Sequence, residues 1–310
     1  MNKFKRFLYK AERLLIYFIS PLSPALASKI MYFAHFKKPL NLKSPATLNE
    51  KLMYLKLTEY KSNKLVTDCT DKYGVRKYVC GAGCGDILNE LIGVWECPED
   101  IDFETLPESF ALKLCHGSGY NIFYTPAHRP DTEKIRKTLK KWRRQDYWRY
   151  NAEPHYKGIQ KRIICEKYLS EGDALPTDYK VYCFNGKPLY ILVCEERAGG
   201  SPKFFFFDSR WKFCPITRDG KGMPLDFTLP KPRDLEKMLD YAAKLSAPFP
   251  FVRVDFYETE KGLIFGEMTF TPSACLDTGR LLETDIMFGD LLELPKTPTK
   301  SKAASHNDYA

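Results

Sequence analysis

The chain predicts an α+β fold: antiparallel sheets with helices packed on them. Three observations carry this. Apolar, strand-like runs dominate the second half, namely RIICEKYL, DYKVYCF, PLYILVCEER, KFFFFD, FVRVDFY and LIFGEMTF. Two of them are joined by Asn185-Gly186, a hairpin signature that marks antiparallel pairing. Helical patterns collect ahead of these strands, and only Asp234–Leu245 falls among them.

Composition agrees. Of 310 residues, 44% are hydrophobic and 28% charged, which excludes a disordered chain and leaves enough apolar surface for a layered core. No period recurs, so solenoid and coiled-coil readings fail. The balance of 48 Lys+Arg against 39 Asp+Glu gives a net charge of +9. No RNP, zinc-finger or helix-turn-helix signature accompanies that charge, so no nucleic-acid partner is expected. A polyanionic small ligand or an anionic membrane surface is the expected counterpart.

The elements follow in order. Residues 1–45 form a basic, aromatic, helical segment, too short and too charged to span a bilayer. It is suited either to the interface of an anionic membrane, through residues 1–20, or to packing on the body. Thr47 with Glu50 reads as a capping box opening a helix. Asp68–Val79 is expected to be another helix, ended by the glycines Gly81, Gly83 and Gly85. Two short strands follow, ILNELIGVW and SFALKLC, then a basic helix over 131–149. The tail over 296–310 is rich in Lys, Ser, Thr and Ala and is expected to be disordered.

Ten cysteines would permit a disulfide framework, but Cys165, Cys183 and Cys194 lie in strand-like runs where cysteine acts as a small core residue. No cleavable signal sequence is apparent, so reduced thiols and a cytoplasmic location are expected. Cys80 and Cys84, with Cys97 and His116, have no second C-x-x-C pair to complete a zinc site.

Four motifs carry chemistry. The first is a strand bearing Lys113, followed by His116-Gly117-Ser118-Gly119, where glycines allow backbone N–H groups close to phosphates. The second is Glu166-Lys167-Tyr168-Leu169 at a strand end, then Asp178 and Lys180. In the third, period 2 puts Arg253, Asp255 and Tyr257 on one strand face. In the fourth, it puts Glu267 and Thr269 together on the next strand. Adjacent antiparallel strands would set Asp255 beside Glu267, offering the hard oxygen ligands that Mg²⁺ on ATP phosphates requires.

In this order the motifs resemble the ATP-grasp superfamily, and in particular its TupA-like branch, named for teichuronopeptide synthesis. The landmarks run from Asn41 to Leu292 and include Asp71-Lys72-Tyr73-Gly74-Val75-Arg76 and Phe251–Tyr257. The resemblance implies two α+β subdomains, 46–160 and 161–295, clasping ATP within a domain over 46–295. It implies that Lys113 and His116–Gly119 take the phosphates, Glu166–Leu169 the adenine and Asp178 the ribose. Lys180, Arg197 and Arg253 would stabilise the transferring phosphoryl group, and Asp255, Glu267 and Thr269 would hold magnesium. Thr269 stands where the superfamily commonly has Asn, and Ser273-Ala274-Cys275 where it has glycines. The implied activity is amide formation between a carboxylate and an amine through an acyl phosphate, in bacterial surface-polysaccharide assembly. Two other readings remain: a glycosyltransferase, from the D-x-D at Asp100-Ile101-Asp102, and a non-catalytic membrane-bound scaffold.

Overall fold

The computed structural model describes residues 3–170, 175–195 and 202–295. Arg197 and the tail over 296–310 lie outside the described residues. The chain opens with a helical hairpin, α1 (Lys3–Ile19) and α2 (Pro24–Phe36). Ser23 caps α2, its Oγ accepting the Leu26 N–H at 3.1 Å, and Pro24 takes the first helical position, where its missing N–H costs nothing. Ile16, Ala27 and Met31 bury themselves against Ala152 and Leu276. The segment therefore packs on the body. Its Ser20 hydroxyl donates to the Arg149 carbonyl at 2.8 Å.

The capping box at Thr47 opens α3 (Leu48–Leu57): Thr47 Oγ1 accepts from Glu50 N, and Glu50 Oε2 accepts from Thr47 N. The helix expected over 68–79 is instead two, α4 (Lys64–Thr70) and α5 (Val75–Gly81). Asp71 breaks them. Its backbone is extended, its Oδ1 accepts the Tyr73 N–H at 2.9 Å, and its Oδ2 takes Arg162 at 2.8 Å. A short acidic side chain that satisfies nearby backbone in this way competes with the helix.

The smaller sheet contains β1 (Leu91–Trp95), β2 (Phe110–Leu114), β3 (Asn121–Tyr124) and β4 (Ile163–Lys167), in the order β1-β4-β2-β3. The returning strand β4 inserts between β1 and β2. Phe110, Leu112 and Leu114 join Ile163 and Cys165 in a core closed by Ile135 and Leu139 of α6 (Thr132–Arg143). That helix stops at Arg143, short of 149, and a 3₁₀ turn over Tyr147–Tyr150 buries Trp148. Although β4 follows residue 160, it belongs to this sheet, so the chain passes to the larger sheet only after Lys167.

The larger sheet holds β5 (Asp178–Phe184), β6 (Lys187–Glu195), β7 (Lys203–Asp208), β8 (Phe213–Cys214), β9 (Phe251–Thr259) and β10 (Gly262–Thr269). Their order is β10-β9-β5-β6-β7-β8, antiparallel throughout. Asn185 and Gly186 both have positive φ (51° and 75°), as the tight β5–β6 hairpin demands. On one face, α7 (Leu235–Ser246) buries Met238, Ala242 and Leu245. On the other, α8 (Leu282–Leu291) drives Phe288 among Tyr182, Tyr190 and Phe206. This second face stays open at β9 and β10, and there it meets the smaller sheet across a cleft.

Two buried histidines make the fold acid-sensitive. His116 is 3% exposed against Tyr120, and His155 is 1% exposed against Tyr156. Burial, with Lys161 and Lys56 respectively adding repulsion, pushes them down to about 4 and about 3 from 6.5. Between those values and 6.5 the unfolded chain binds more protons, so stability falls as pH drops through that window. Thermal melts from neutral to about pH 4 are expected to show a steeper decline for the native protein than for His116→Phe or His155→Phe. Parallel declines in all three proteins would contradict it.

Candidate active site

The site grows from one face of β9. Arg253, Asp255 and Tyr257 alternate onto it, while Val254 and Phe256 go to the core at 0% exposure. On one side β5 pairs Lys180 with Asp255. On the other, β10 pairs Glu267 with Asp255 and Thr269 with Arg253. That second register depends on a bulge. Phe265 pairs with Phe256 on the core side, and the extra residue Gly266 turns Glu267 to the cleft side. A Cβ at Gly266 would stand 2.9 Å from the Asp255 carbonyl oxygen, so only glycine fits there without displacement.

Asp255 is 2% exposed and shared by two cations. Arg253 Nε and Nη2 each donate to it at 2.6 Å, and Lys180 Nζ at 2.9 Å. Burial raises the Asp255 carboxyl from its ordinary range, and Arg253 and Lys180 act against that rise. Asp178 holds Lys180 from the other side, at 2.8 and 2.9 Å. Glu267 is different: its side chain is 42% exposed into the cleft and lies 3.4 Å from Arg253. Enclosure pushes its carboxyl up, but Lys72, Arg253 and Lys180 outweigh this and hold it below the usual range.

Across the cleft, the smaller sheet presents cations. Lys113 on β2 pairs with Glu166 on β4 at 2.6 Å, and Arg76 of α5 takes the other Glu166 oxygen at 3.2 Å. Lys72 donates to the Gly117 carbonyl at 2.6 Å, and burial lowers its pKa. Sequence reasoning gave no role to Lys72 or Arg76. Their signal was available: the cations of Asp71-Lys72-Tyr73-Gly74-Val75-Arg76, four positions apart where a helix begins.

The cleft measures about 380 Å³ and separates these groups from Asp255 and Glu267. Lys113, Ser118, Gly119, Glu166, Lys167, Tyr168, Leu169 and Lys180 all line it. His116 and Gly117 do not. His116 is buried on Tyr120, and Gly117 allows Tyr147 to pack where a Cβ would come within 2.7 Å. Asp178 is 5% exposed and turned to Lys180 rather than to the cleft. Lys167 has its backbone committed, the N–H to Glu90 and the carbonyl to Asn89. Leu88, Leu175 and Phe265 supply apolar walls beside Tyr168 and Leu169.

A second cavity of about 360 Å³ shares Ser118 and Glu267 with the first. Arg253, Thr269 and Thr271 form its floor, tyrosines 147, 150 and 156 one wall, and Glu12, Arg13 and His35 of the helical hairpin another. Ser273 and Ala274 also line it. These two and Cys275 all have positive φ (51°, 54° and 64°), at the positions where the resemblance leads one to expect glycines. Three consecutive left-handed non-glycine residues concentrate strain at this rim. Beneath it lies a buried polar group that the sequence did not reveal. Lys56, 0% exposed, donates to the Asn151 carbonyl, and Glu153 accepts from Thr271 at 2.6 Å.

Asp255 and Glu267 are hard oxygen donors on neighbouring strands, with Thr269 Oγ1 3.0 Å from Glu267, and this donor set fits Mg²⁺. Arg253 now occupies both Asp255 oxygens, as a cation would. Among the described residues, no group of three or more His, Cys, Asp and Glu side chains is gathered for a metal. Asp100 and Asp102 flank the buried Ile101 away from the cleft, and Asp102 caps a turn by accepting the Glu104 N–H.

Two sheets with a lysine-bearing strand facing a carboxylate pair define an ATP-grasp protein. The family profile for TupA-like ATP-grasp matches residues 50–293, and the chain belongs to that family. No curated protein matches the chain. Among solved structures it is similar to the D-alanine–D-alanine ligase of Bacillus anthracis complexed with ATP, at 14% identity and a TM-score of 0.43. That match covers 73% of this chain and 63% of the ligase, so the chain spans less than two thirds of that relative's length. It is similar to the same ligase from Helicobacter pylori at 13% identity and a TM-score of 0.44, over 82% of this chain and 69% of that one. It is also similar to the ATP-grasp ligase PsnB complexed with minimal precursor, Mg and ADP, at 12% identity and a TM-score of 0.40, over 75% and 60%.

The bulge yields a prediction. Gly266→Ala must push β10 away from the Asp255 carbonyl and is expected to destabilise the protein by about 1–3 kcal/mol, the usual cost of overpacking. Urea titration measures this, and an unchanged midpoint would show that the strands part freely.

Proposed function

We propose that the chain is an ATP-dependent carboxylate–amine ligase that forms ADP. The observation that carries this reading is the charge layout of the cleft. Lys72, Arg76 and Lys113 face Asp255 and Glu267, with Arg253 bonded to both of those carboxylates and Lys180 to Asp255. Such a layout suits a polyphosphate laid along the cleft with its terminal phosphoryl group at Arg253. Lys113 and Arg76 turn from Glu166 to the phosphates, and Ser118 and Gly119 offer backbone N–H groups. The adenine lies between Leu88 and Phe265, against the backbone of Tyr168 and Leu169. With Asp178 held by Lys180, its role at the ribose has no support from the cleft lining. Asp255, Glu267 and Thr269 are the Mg²⁺ ligands of this reading. These residues would hold the ion, which would supply neutralisation of phosphate charge.

Phosphoryl transfer to a substrate carboxylate gives an acyl phosphate and ADP. An amine then attacks the acyl carbon, phosphate leaves, and the amine loses a proton. The second cavity receives the acceptor, because it opens at Arg253 and Glu267, where the terminal phosphoryl group would sit. Its tyrosine wall with Glu12, Arg13 and His35 suits a polar, ring-shaped acceptor such as a sugar acid. We extend the reading to a place in bacterial surface-polysaccharide assembly, which the resemblance to the TupA-like branch implies. The glycosyltransferase signal, Asp100 and Asp102, lies outside both of these cavities, and Asp102 lines a separate one with Glu104, Arg129 and Arg136.

The test is the nucleotide product. ADP and phosphate are expected only when a carboxylate and an amine are both present, together with a product of new amide mass. AMP with pyrophosphate, or transfer from a nucleotide-sugar with ATP left intact, would sink the proposal. Glu267→Gln is expected to abolish turnover at an unchanged melting temperature, because its carboxylate is cleft-exposed. Asp255→Asn is a poorer probe: it strips the anion from two buried cations, a change that typically costs about 3–5 kcal/mol.

A further inference from the structure

The helical hairpin has two faces, and only the inner one is used by the fold. Ile16, Ala27 and Met31 point to the body, and Glu12, Arg13 and His35 line the second cavity. On the solvent side α1 exposes Leu14 (59%), Leu15 (51%) and Phe18 (61%). The turn exposes Leu22 (86%), and α2 exposes Leu26 and Phe33. These six form half of the twelve large apolar side chains exposed among the described residues, within a stretch of twenty positions. A helix on a globular surface normally turns such residues inward.

Charge identifies the occupant. Residues 1–49 hold nine Lys and Arg against Glu12 alone, so they carry +8 of the chain's net +9. The excess therefore belongs to this segment, and the remaining 261 residues are nearly neutral. Lys29 lies between Leu26 and Phe33 on α2, exposed like Lys37 and Lys38 at its end. Lys3, Lys5, Arg6 and Lys10 fall within α1 itself. Exposed leucine and phenylalanine in a segment with so large an excess of cations match the acyl boundary and headgroup layer of an anionic bilayer. No helix among the described residues is long and apolar enough to cross a membrane.

We infer that the α1–α2 hairpin docks the protein on the surface of an anionic phospholipid bilayer, with Leu14, Phe18, Leu22 and Phe33 entering the interface and the lysines holding headgroups. The contact lies on the back of the wall that closes the second cavity, so docking sets that cavity beside the bilayer. The inference stands independently of the ligase reading, since none of the docking residues lines the nucleotide cleft.

Co-sedimentation of the full chain with vesicles tests it. Vesicles of phosphatidylcholine containing phosphatidylglycerol are expected to bind the protein, pure phosphatidylcholine far less, and rising salt should release it. Leu14→Glu/Phe18→Glu and, separately, Lys29→Glu/Lys38→Glu should each weaken binding roughly tenfold or more. ATP binding and melting temperature should stay unchanged in both, which separates this test from any failure of the nucleotide reading. Native protein that stays in the supernatant with anionic vesicles would overturn the inference. So would equal binding to neutral vesicles, or a dimer in solution that Leu14→Glu/Phe18→Glu dissolves, which would make a second copy the occupant.

Discussion

A carboxylate buried at the middle of a sheet must be matched by cations, and in this molecule that requirement falls on Asp255. Its two oxygens are met by Arg253 from its own strand and by Lys180 from β5. Removing any one member leaves charge stranded in a poorly hydrated place, so β5 and β9 are bound to a single register, to which β10 adapts through its bulge. Everything that faces the cleft from the larger sheet inherits its position from that register. A slip of one residue would send Asp255 into the core and Val254 into the cleft.

The smaller sheet solves the opposite problem. It gathers Lys72, Arg76 and Lys113 with a single carboxylate, Glu166, bonded to two of them. The larger sheet balances its own charge internally, while the smaller one keeps an excess of cations directed at the space between. A polyanion entering there exchanges partners with groups already in place and meets donors whose positions the strands have set. This is preorganisation in the electrostatic sense.

Much of this was legible in the sequence because it obeys period 2. Val254 and Phe256 announce the core face of β9, and Arg253, Asp255 and Tyr257 therefore its open face. The capping box at Thr47 and the turn at Asn185-Gly186 are equally local, and both appear where the sequence puts them. What escaped was non-local or finely conformational. Nothing adjacent in sequence tells that β4 would insert between β1 and β2, or that Asp71 would turn one helix into two by bonding Arg162, ninety-one positions away. His116 sits in a glycine-rich stretch that reads as cleft, yet it packs on Tyr120, which is itself stacked on Trp142 of α6, and so turns inward. Lys56, in an apolar helical run, gave no sign that a carbonyl of Asn151 awaited it.

The family is recognised from residue 50 onward, yet the wall of the second cavity is built by residues before that point. The stretch that matches the family and the stretch that encloses the second cavity are therefore not the same. On the proposed reading, exchanging Glu12, Arg13 and His35 would change what the second cavity admits and leave the nucleotide cleft untouched, since none of the three lines it. On the proposed ligase reading, the body would carry the chemistry while the inner face of the leading hairpin would help choose what meets it.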